Sequence, residues 1–256
     1  MDFKTGRKPA RYTRKSFARG IVMARALDSL GLPPSASSDY VMAVDKITGG
    51  DWGMDGNDTA GDCTCASTAH QLMLHSANAG TMIQPTAEQT LALYSAITGF
   101  NPADPSTDQG ADELSVIEYL EKTGWLGTKD TAAANIDPLN IAHLKWGVQL
   151  FGAARLGVNL PQSAMDQFNA GQPWDVIAND GGIIGGHDVP IVKYDASGVF
   201  YIVTWAKLQP MTPAFVAKYV EEAHCEMNSA WIEAGGLGAS GIDGKQLIAD
   251  LQQVQN

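Results

Sequence analysis

Cys63 and His187 are the two side chains whose types and placement could do covalent chemistry together. Cys63 follows a Gly- and Asp-rich stretch, residues 49–62. It opens the segment CTCASTAHQLMLHSAN, which reads as a helix of about four turns with Asp62 at its N-cap and Gly80 closing it. The reactive form of cysteine is the thiolate, and a helix N-terminus stabilises it through the dipole and the free N–H groups. The same N–H groups can hold an oxyanion. His187 lies in Gly185-Gly186-His187-Asp188-Val189-Pro190, at the start of a strand more than a hundred residues later. An early Cys and a late His is the layout of a cysteine hydrolase whose site lies between two halves. Taken singly, each has a plainer reading, a small buried thiol in a packed helix and a His in a Gly-rich turn. Together each raises the other.

Other constellations are weaker. Cys63, Cys65, His70 and His75 suggest a zinc cluster, but on one helix His75 points about 140° from His70, so the four cannot converge. His70 reads better as a buried helix residue. Asp51, Asp55, Gly56, Asn57 and Asp62 resemble parts of a calcium loop, yet Gly53 takes the third position and no helix precedes it. Gly236–Gly241 matches a dinucleotide fingerprint with no room for a βαβ unit after it. No metal and no cofactor is therefore expected. The six Trp residues, spread along the chain, suit packing or groove lining better than nucleic-acid stacking.

The elements around these residues change character along the chain. Thr86-Ala-Glu-Gln89 is a capping box opening a helix that stops at Gly99; further helices are expected over about 112–123 and 139–151. After Gly152 the pattern turns to strands: 153–160, 189–194 and 199–205, the last two joined by an Asp195-Ala-Ser-Gly198 turn, and a final one over 224–231. A short helix is expected over 211–220 and a weak amphipathic one over 242–251. Helices first and strands second indicate an α+β fold.

The residues then carry a resemblance. Cys63 at a helix start, the GGHDV strand and the FYIVTW strand resemble the papain-like cysteine peptidase fold over roughly residues 50–232. In that family an amide side chain about six residues before the nucleophile supplies an N–H to the oxyanion hole, and Asn57 stands six before Cys63. That register favours Cys63 over Cys65, since Thr59 stands six before Cys65. Thr86-Ala-Glu-Gln-Thr-Leu and Gln109-Gly-Ala-Asp-Glu-Leu resemble further family segments. DWGMDGND, GDCTCA, GGHDVPIVKYD and VTWAK together resemble uncharacterised papain-like proteins of bacterial and phage genomes.

The resemblance implies catalytic Cys63 and His187 with Asn57 at the oxyanion, and a peptide or protein substrate. Two positions depart from the family. Its His-orienting Asn falls at Val203, next to Thr204-Trp205, so the site is either a Cys–His dyad or one in which Thr204 or a main-chain carbonyl orients His187. The aromatic residue that follows the nucleophile is replaced by Thr64. The alternative function is a catalytically inactive papain-like scaffold serving as a binding or virion structural protein of a phage.

Composition sets the frame. The chain has 256 residues, 45% hydrophobic and 18% charged, enough for one large or two small domains and too apolar for disorder. No apolar run approaches the ~20 residues of a membrane helix, and the N-terminus is basic with no apolar segment behind it, so neither a span nor a secretory signal is expected. Location is expected to be cytoplasmic or virion-associated. Three cysteines exclude a disulfide framework. Residues 1–19 hold seven Lys or Arg against one acid, while the remaining 237 residues hold ten against 27. An acidic body argues against nucleic acid as a partner. The arm is expected to pack on an acidic surface, its own or a neighbour's, with phage structural proteins as possible partners. The expected organisation is a basic extended arm and connector over 1–48, a papain-like domain over 49–233 (helical half 49–152, β half 153–233), and a Gly-rich linker with a short helix over 234–256.

Overall fold

The structure, a computed structural model, describes residues 3–32, 36–233, 235 and 243–254. In chain order, α1 (Arg14–Leu30), β1 (Ser38–Asp39) and α2 (Val41–Thr48) precede a helical half of α3 (Cys63–Asn78), α4 (Ala87–Thr98) and α5 (Glu113–Lys122). Then come β2 (Asp130–Ile136), α6 (Ile141–Phe151), β3 (Ala154–Pro161), α7 (Gln162–Asn169) and β4 (Ile183–Tyr194). The chain closes with β5 (Phe200–Thr204), β6 (Lys207–Met211), α8 (Pro213–Tyr219), β7 (Val220–Asn228), α9 (Ser229–Glu233) and α10 (Gly244–Gln253). All sheet pairings are antiparallel, in the order β2-β7-β3-β4-β5-β6 with β1 also on β4. The fold is α+β, with helices gathered before the sheet.

Local chemistry explains the elements the sequence announced. Thr86 and Gln89 form the reciprocal capping box, and Gly99 ends α4 in the left-handed region at φ 79°. Asp112 caps α5 by accepting from Ser115 N–H. Asp62 is different. It stands at the N-cap of α3, but its side chain makes no capping bond to the helix.

Three apolar clusters join these pieces. The largest fills the sheet and includes Leu156, Val158, Val189, Ile191 and Ile202. A second, around Tyr94, Val116 and Leu120, holds the helical half together. The third, with Trp52, Met73, Leu74, Val192 and Val203, seals α2 and α3 onto β4 and β5. The segment Cys63–Ser76 of α3 is buried at every residue. Its small early side chains are what let the sheet approach it so closely.

Several elements were not legible in advance. The first 48 residues are not merely an extended connector. They carry α1 and α2, and α1 buries Met23 and Leu27 in the same core as Ala132, Ala134 and Leu251. The expected connector at 32–38 lies partly, and the Gly236–Gly241 string wholly, outside the described residues. β2, with the alanine-rich sequence DTAAANI, forms because β7 pairs with it. The final strand ends at Asn228, whose Oδ1 accepts from Ala230 N–H and turns the chain into α9, so Trp231 is helical. Among the described residues no helix is long and apolar enough to cross a membrane.

The buried helix has a titratable group with a pH consequence. His75 donates or accepts through Nε2 at 2.8 Å from Phe151 O, which as a carbonyl must accept, so Nε2 carries the proton. Burial holds its pKa down at about 4. Because the folded value is depressed below the unfolded one, stability is full above about pH 6.5 and falls as pH drops toward 4. The expected loss is about 3 kcal/mol from this group at the acid end. Urea titrations between pH 7 and 4 should show a shallower acid loss in His75→Gln than in the parent chain. Equal slopes would remove His75 from the acid transition.

Candidate active site

Cys63 and His187 line one small cavity of about 10 Å³, with Asn57, Met54, His70 and Trp205. Cys63 reaches it from the first residue of α3, and His187 from β4, where it pairs across to Val158 of β3. Cys65 faces the other way, into the helical-half cluster with Leu93 and Tyr94. Cys225 is buried on β7.

The pairing of β4 with β5 brings Thr204 beside the imidazole. His187 Nε2 lies 2.8 Å from Thr204 Oγ1, where the sequence lacks the family's Asn. The Trp205 indole stacks on the ring at 4.7 Å and 19°. To deliver both residues, the chain turns tightly after β5. Trp205 and Ala206 take φ of 45° and 65°, a pair of positive values that two-residue hairpins require and that non-glycine residues resist. Of the described polar atoms, His187 Nδ1 is buried without a hydrogen-bond partner. In the tautomer in which Thr204 accepts from Nε2–H, Nδ1 is the basic nitrogen.

Asn57 is buried beside the pair, but both bonds of its amide are internal, to Ala60 O at 3.2 Å and Asp62 Oδ1 at 3.3 Å. The structure thus places Asn57 at the site and ties it to the loop that precedes Cys63. His70 donates from Nε2 to Gly53 O at 3.0 Å and lies 3.2 Å from Asp55 Oδ2, so it braces that loop.

A buried arginine, which sequence reading passed over, sets the two halves in register. Arg155 on β3 donates to Thr64 O and Thr68 Oγ1 on α3, at 2.9 Å each, and to Asp188 Oδ2 at 2.8 Å. Its Nε donates to Glu226 Oε1 at 2.6 Å. One guanidinium therefore joins α3 to the residue after His187. The available signal was a lone Arg inside an apolar strand, since such a charge is buried only when fully paired.

The N-terminal arm lies across this site. Phe3 stacks on Trp205 at 4.8 Å. Lys4 N–H donates to Asn57 O at 3.3 Å, and the Gly6 and Arg7 N–H groups both donate to Gly186 O, at 3.1 and 3.0 Å. Gly6 O accepts from Ala111 N–H, and Lys8 N–H donates to Ala111 O. A Cβ at Gly6 would fall 1.7 Å from Gly61 O, so only glycine fits at this crossing. The arm's cations meet the body's own carboxylates: Arg7 pairs with Glu221 and Glu222, Arg11 with Asp112 and Glu118, Arg19 with Glu121.

Under this cover burial disfavours the charged form of both side chains. Burial, with the Asp188 charge adding, pushes the Cys63 thiol up to about 12, although the N–H groups of Asp188 and Gly6 face the sulfur. Burial, reinforced by Arg7 and His70, holds His187 at about 3. Among the described residues one set could approach a metal, Glu113, Glu222 and His224, whose ligand atoms lie within 4.8 Å of one another. The Arg7 guanidinium already donates to Glu222 there, at 2.7 Å.

Comparison with known proteins agrees with this architecture. Xylellain, a cysteine protease from Xylella fastidiosa, superposes with a TM-score of 0.62 at 16% identity, over 88% of this chain and 97% of that one. The cysteine protease and lectin-like domains of Cwp84, a surface layer associated protein of Clostridium difficile, give 0.56 at 12% identity, over 85% of this chain and 60% of that one. No family model and no curated protein sequence matches the chain. The chain has the papain-like cysteine peptidase fold.

Proposed function

We propose that the chain is a thiol hydrolase of peptide bonds that its own N-terminal arm holds off. One observation carries this reading: an extended peptide, residues 4–8, lies in a cleft beside the Cys63 thiol, bound through main-chain groups that any peptide could offer. In the reaction, Cys63 Sγ attacks the substrate carbonyl carbon and its proton passes to His187 Nδ1. Thr204 accepts from Nε2–H and holds the ring in line. The imidazolium gives its proton to the departing amine, and water then hydrolyses the thioester. The oxyanion meets the Cys63 N–H at the start of α3, with the Asn57 amide as the second donor once it turns from Ala60 O.

The arm runs the wrong way to be cut. The leaving amine must depart on the side of His187 and Trp205, where a substrate continues toward its C-terminus. The arm instead places its N-terminal Phe3 there. Reversed polarity keeps its carbonyls out of line for Cys63.

A peptidyl diazomethyl ketone tests the site, because it alkylates a cysteine only within a working thiol–imidazole pair. With Gly6→Val, whose arm cannot seat, mass spectrometry should find one adduct, on Cys63. No adduct, or one on Cys65 or Cys225, would support an inactive scaffold instead, in a phage particle or elsewhere.

Thr204 is the stand-in for the missing amide, so its removal should cost turnover. Thr204→Val is expected to lower kcat by about 10- to 100-fold with little change in KM, since it disorders a proton-transfer group and touches no substrate. Thr204→Asn should recover part of the loss. A Thr204→Val enzyme with full kcat would show that the Trp205 stack alone orients His187.

A further inference from the structure

We infer that the pocket filled by Arg7 selects an arginine at the second residue before the scissile bond of a substrate. This rests on the peptidase reading above. Gly6 sits at Cys63, and Arg7 is its neighbour on the side away from Trp205. The leaving amine departs toward His187, so the Arg7 side is the acyl side. The residue at Gly6 corresponds to the one whose carbonyl is attacked, and Arg7 to the one before it in a substrate.

The pocket is made for a guanidinium. Arg7 Nη1 donates to Glu222 Oε1 at 2.7 Å, and Nη2 donates to Glu221 Oε2 at 2.8 Å and to Asn159 Oδ1 at 3.0 Å. The Arg7 side chain is 1% exposed and that of Glu222 is fully buried. Two acceptors per fork suit arginine better than the point charge of lysine. Gly157 on β3 creates the room. A Cβ there would come within 2.6 Å of Glu222 Cγ, 2.7 Å of Glu113 Oε1 and 2.9 Å of Arg7 Nη1. Its neighbours on the strand are the fully buried Leu156 and Val158, and its φ is not in the left-handed region. Space for the guanidinium, and not backbone conformation, therefore explains this glycine.

Charge completes the argument. Glu113, Glu221 and Glu222 line the pocket, and the buried Arg155 is already committed to Asp188 and Glu226. His224 spends Nδ1 on Glu113 Oε2 at 2.9 Å, and its Nε2 meets the Asn135 amide. When the arm leaves, Glu222 loses the guanidinium that donates to it. An apolar substrate residue would leave Glu222 buried without that donor, a penalty that a basic residue removes.

The test uses full-length Gly6→Val and quenched peptides that differ only at the second residue before the cleaved bond. The arginine peptide should exceed the leucine peptide in kcat/KM by about a hundredfold, lysine should fall between them, and glutamate should be poorest. Adding Glu222→Gln should reduce the Arg-to-Leu ratio at least about tenfold. A ratio near one, or a preference for leucine, would overturn the pocket assignment while leaving the hydrolase reading standing. If no peptide is cut, fluorescence polarisation of the same peptides on Gly6→Val/Cys63→Ala separates the two ideas. Tighter binding of the arginine peptide keeps the pocket and removes the hydrolase; equal binding removes the pocket. Should Gly6→Val not fold, Arg7→Ala vacates the same pocket. Its Tm should rise with acetyl-arginine amide and not with acetyl-leucine amide, and no difference between them would overturn the proposal.

Discussion

Full-length Gly6→Val should react with iodoacetamide at Cys63, at pH 7, at least about a hundredfold faster than the unaltered chain. With the arm seated the thiol is buried and its pKa stands at about 12. At pH 7 that leaves roughly one thiolate in 10⁵, against a few per hundred for an ordinary cysteine. A valine side chain cannot pass Gly61, whose carbonyl oxygen would be 1.7 Å from the new Cβ, so the arm must lift between Gly61 and Gly186. Water then reaches the sulfur, the burial cost falls, and the free N–H groups at the start of α3 act on an accessible thiolate.

The direction with pH is also set. The unaltered chain should go on gaining rate as pH rises toward about 12, because its thiol is still ionising there. The Gly6→Val rate should level off at a lower pH. Mass spectrometry locates the label. If both chains react alike, the arm does not control access to Cys63.

Cys63→Ala, introduced into the Gly6→Val chain, should abolish peptide hydrolysis, lowering kcat by at least about a thousandfold, while Cys65→Ala keeps most of it. The two thiols are two residues apart and both are buried, so composition does not distinguish them. Their surroundings do. Cys63 shares a cavity with His187, whereas Cys65 packs among Leu93, Tyr94 and Ala111. Cys65→Ala removes a sulfur from an apolar cluster and should register as a loss of stability. Comparable losses of activity in both variants, at matched folding by circular dichroism, would remove Cys63 as the nucleophile.

The sequence alone carried the helix starts at Cys63 and Thr86, a helix over about 112–123, the turn at Asp195–Gly198 and the order of helices before strands. Each is local, written in caps, glycines and a period of 3.6 or 2 residues. Cys63 could be singled out at a helix start and His187 in a Gly-rich strand of the later half, and Asn57 came from the family resemblance through its spacing from Cys63. Thr204 could be named as one candidate among several for holding His187.

What only the tertiary structure decided depends on contacts between distant residues. β2 is alanine-rich and becomes a strand because β7 lies beside it. Trp205 accepts a positive φ because its indole is held on His187. Arg155 is a lone charge in an apolar strand until α3 and β4 supply its acceptors. The basic arm reads as a segment that packs on an acidic surface, its own or a neighbour's, but no local pattern tells where on that surface it goes. Its course follows from a Gly6 that fits only against Gly61 and an Arg7 that fits only where Gly157 leaves a space among three glutamates. Packing and charge neutralisation act through space, so they placed the arm over the cysteine where sequence periodicity could not.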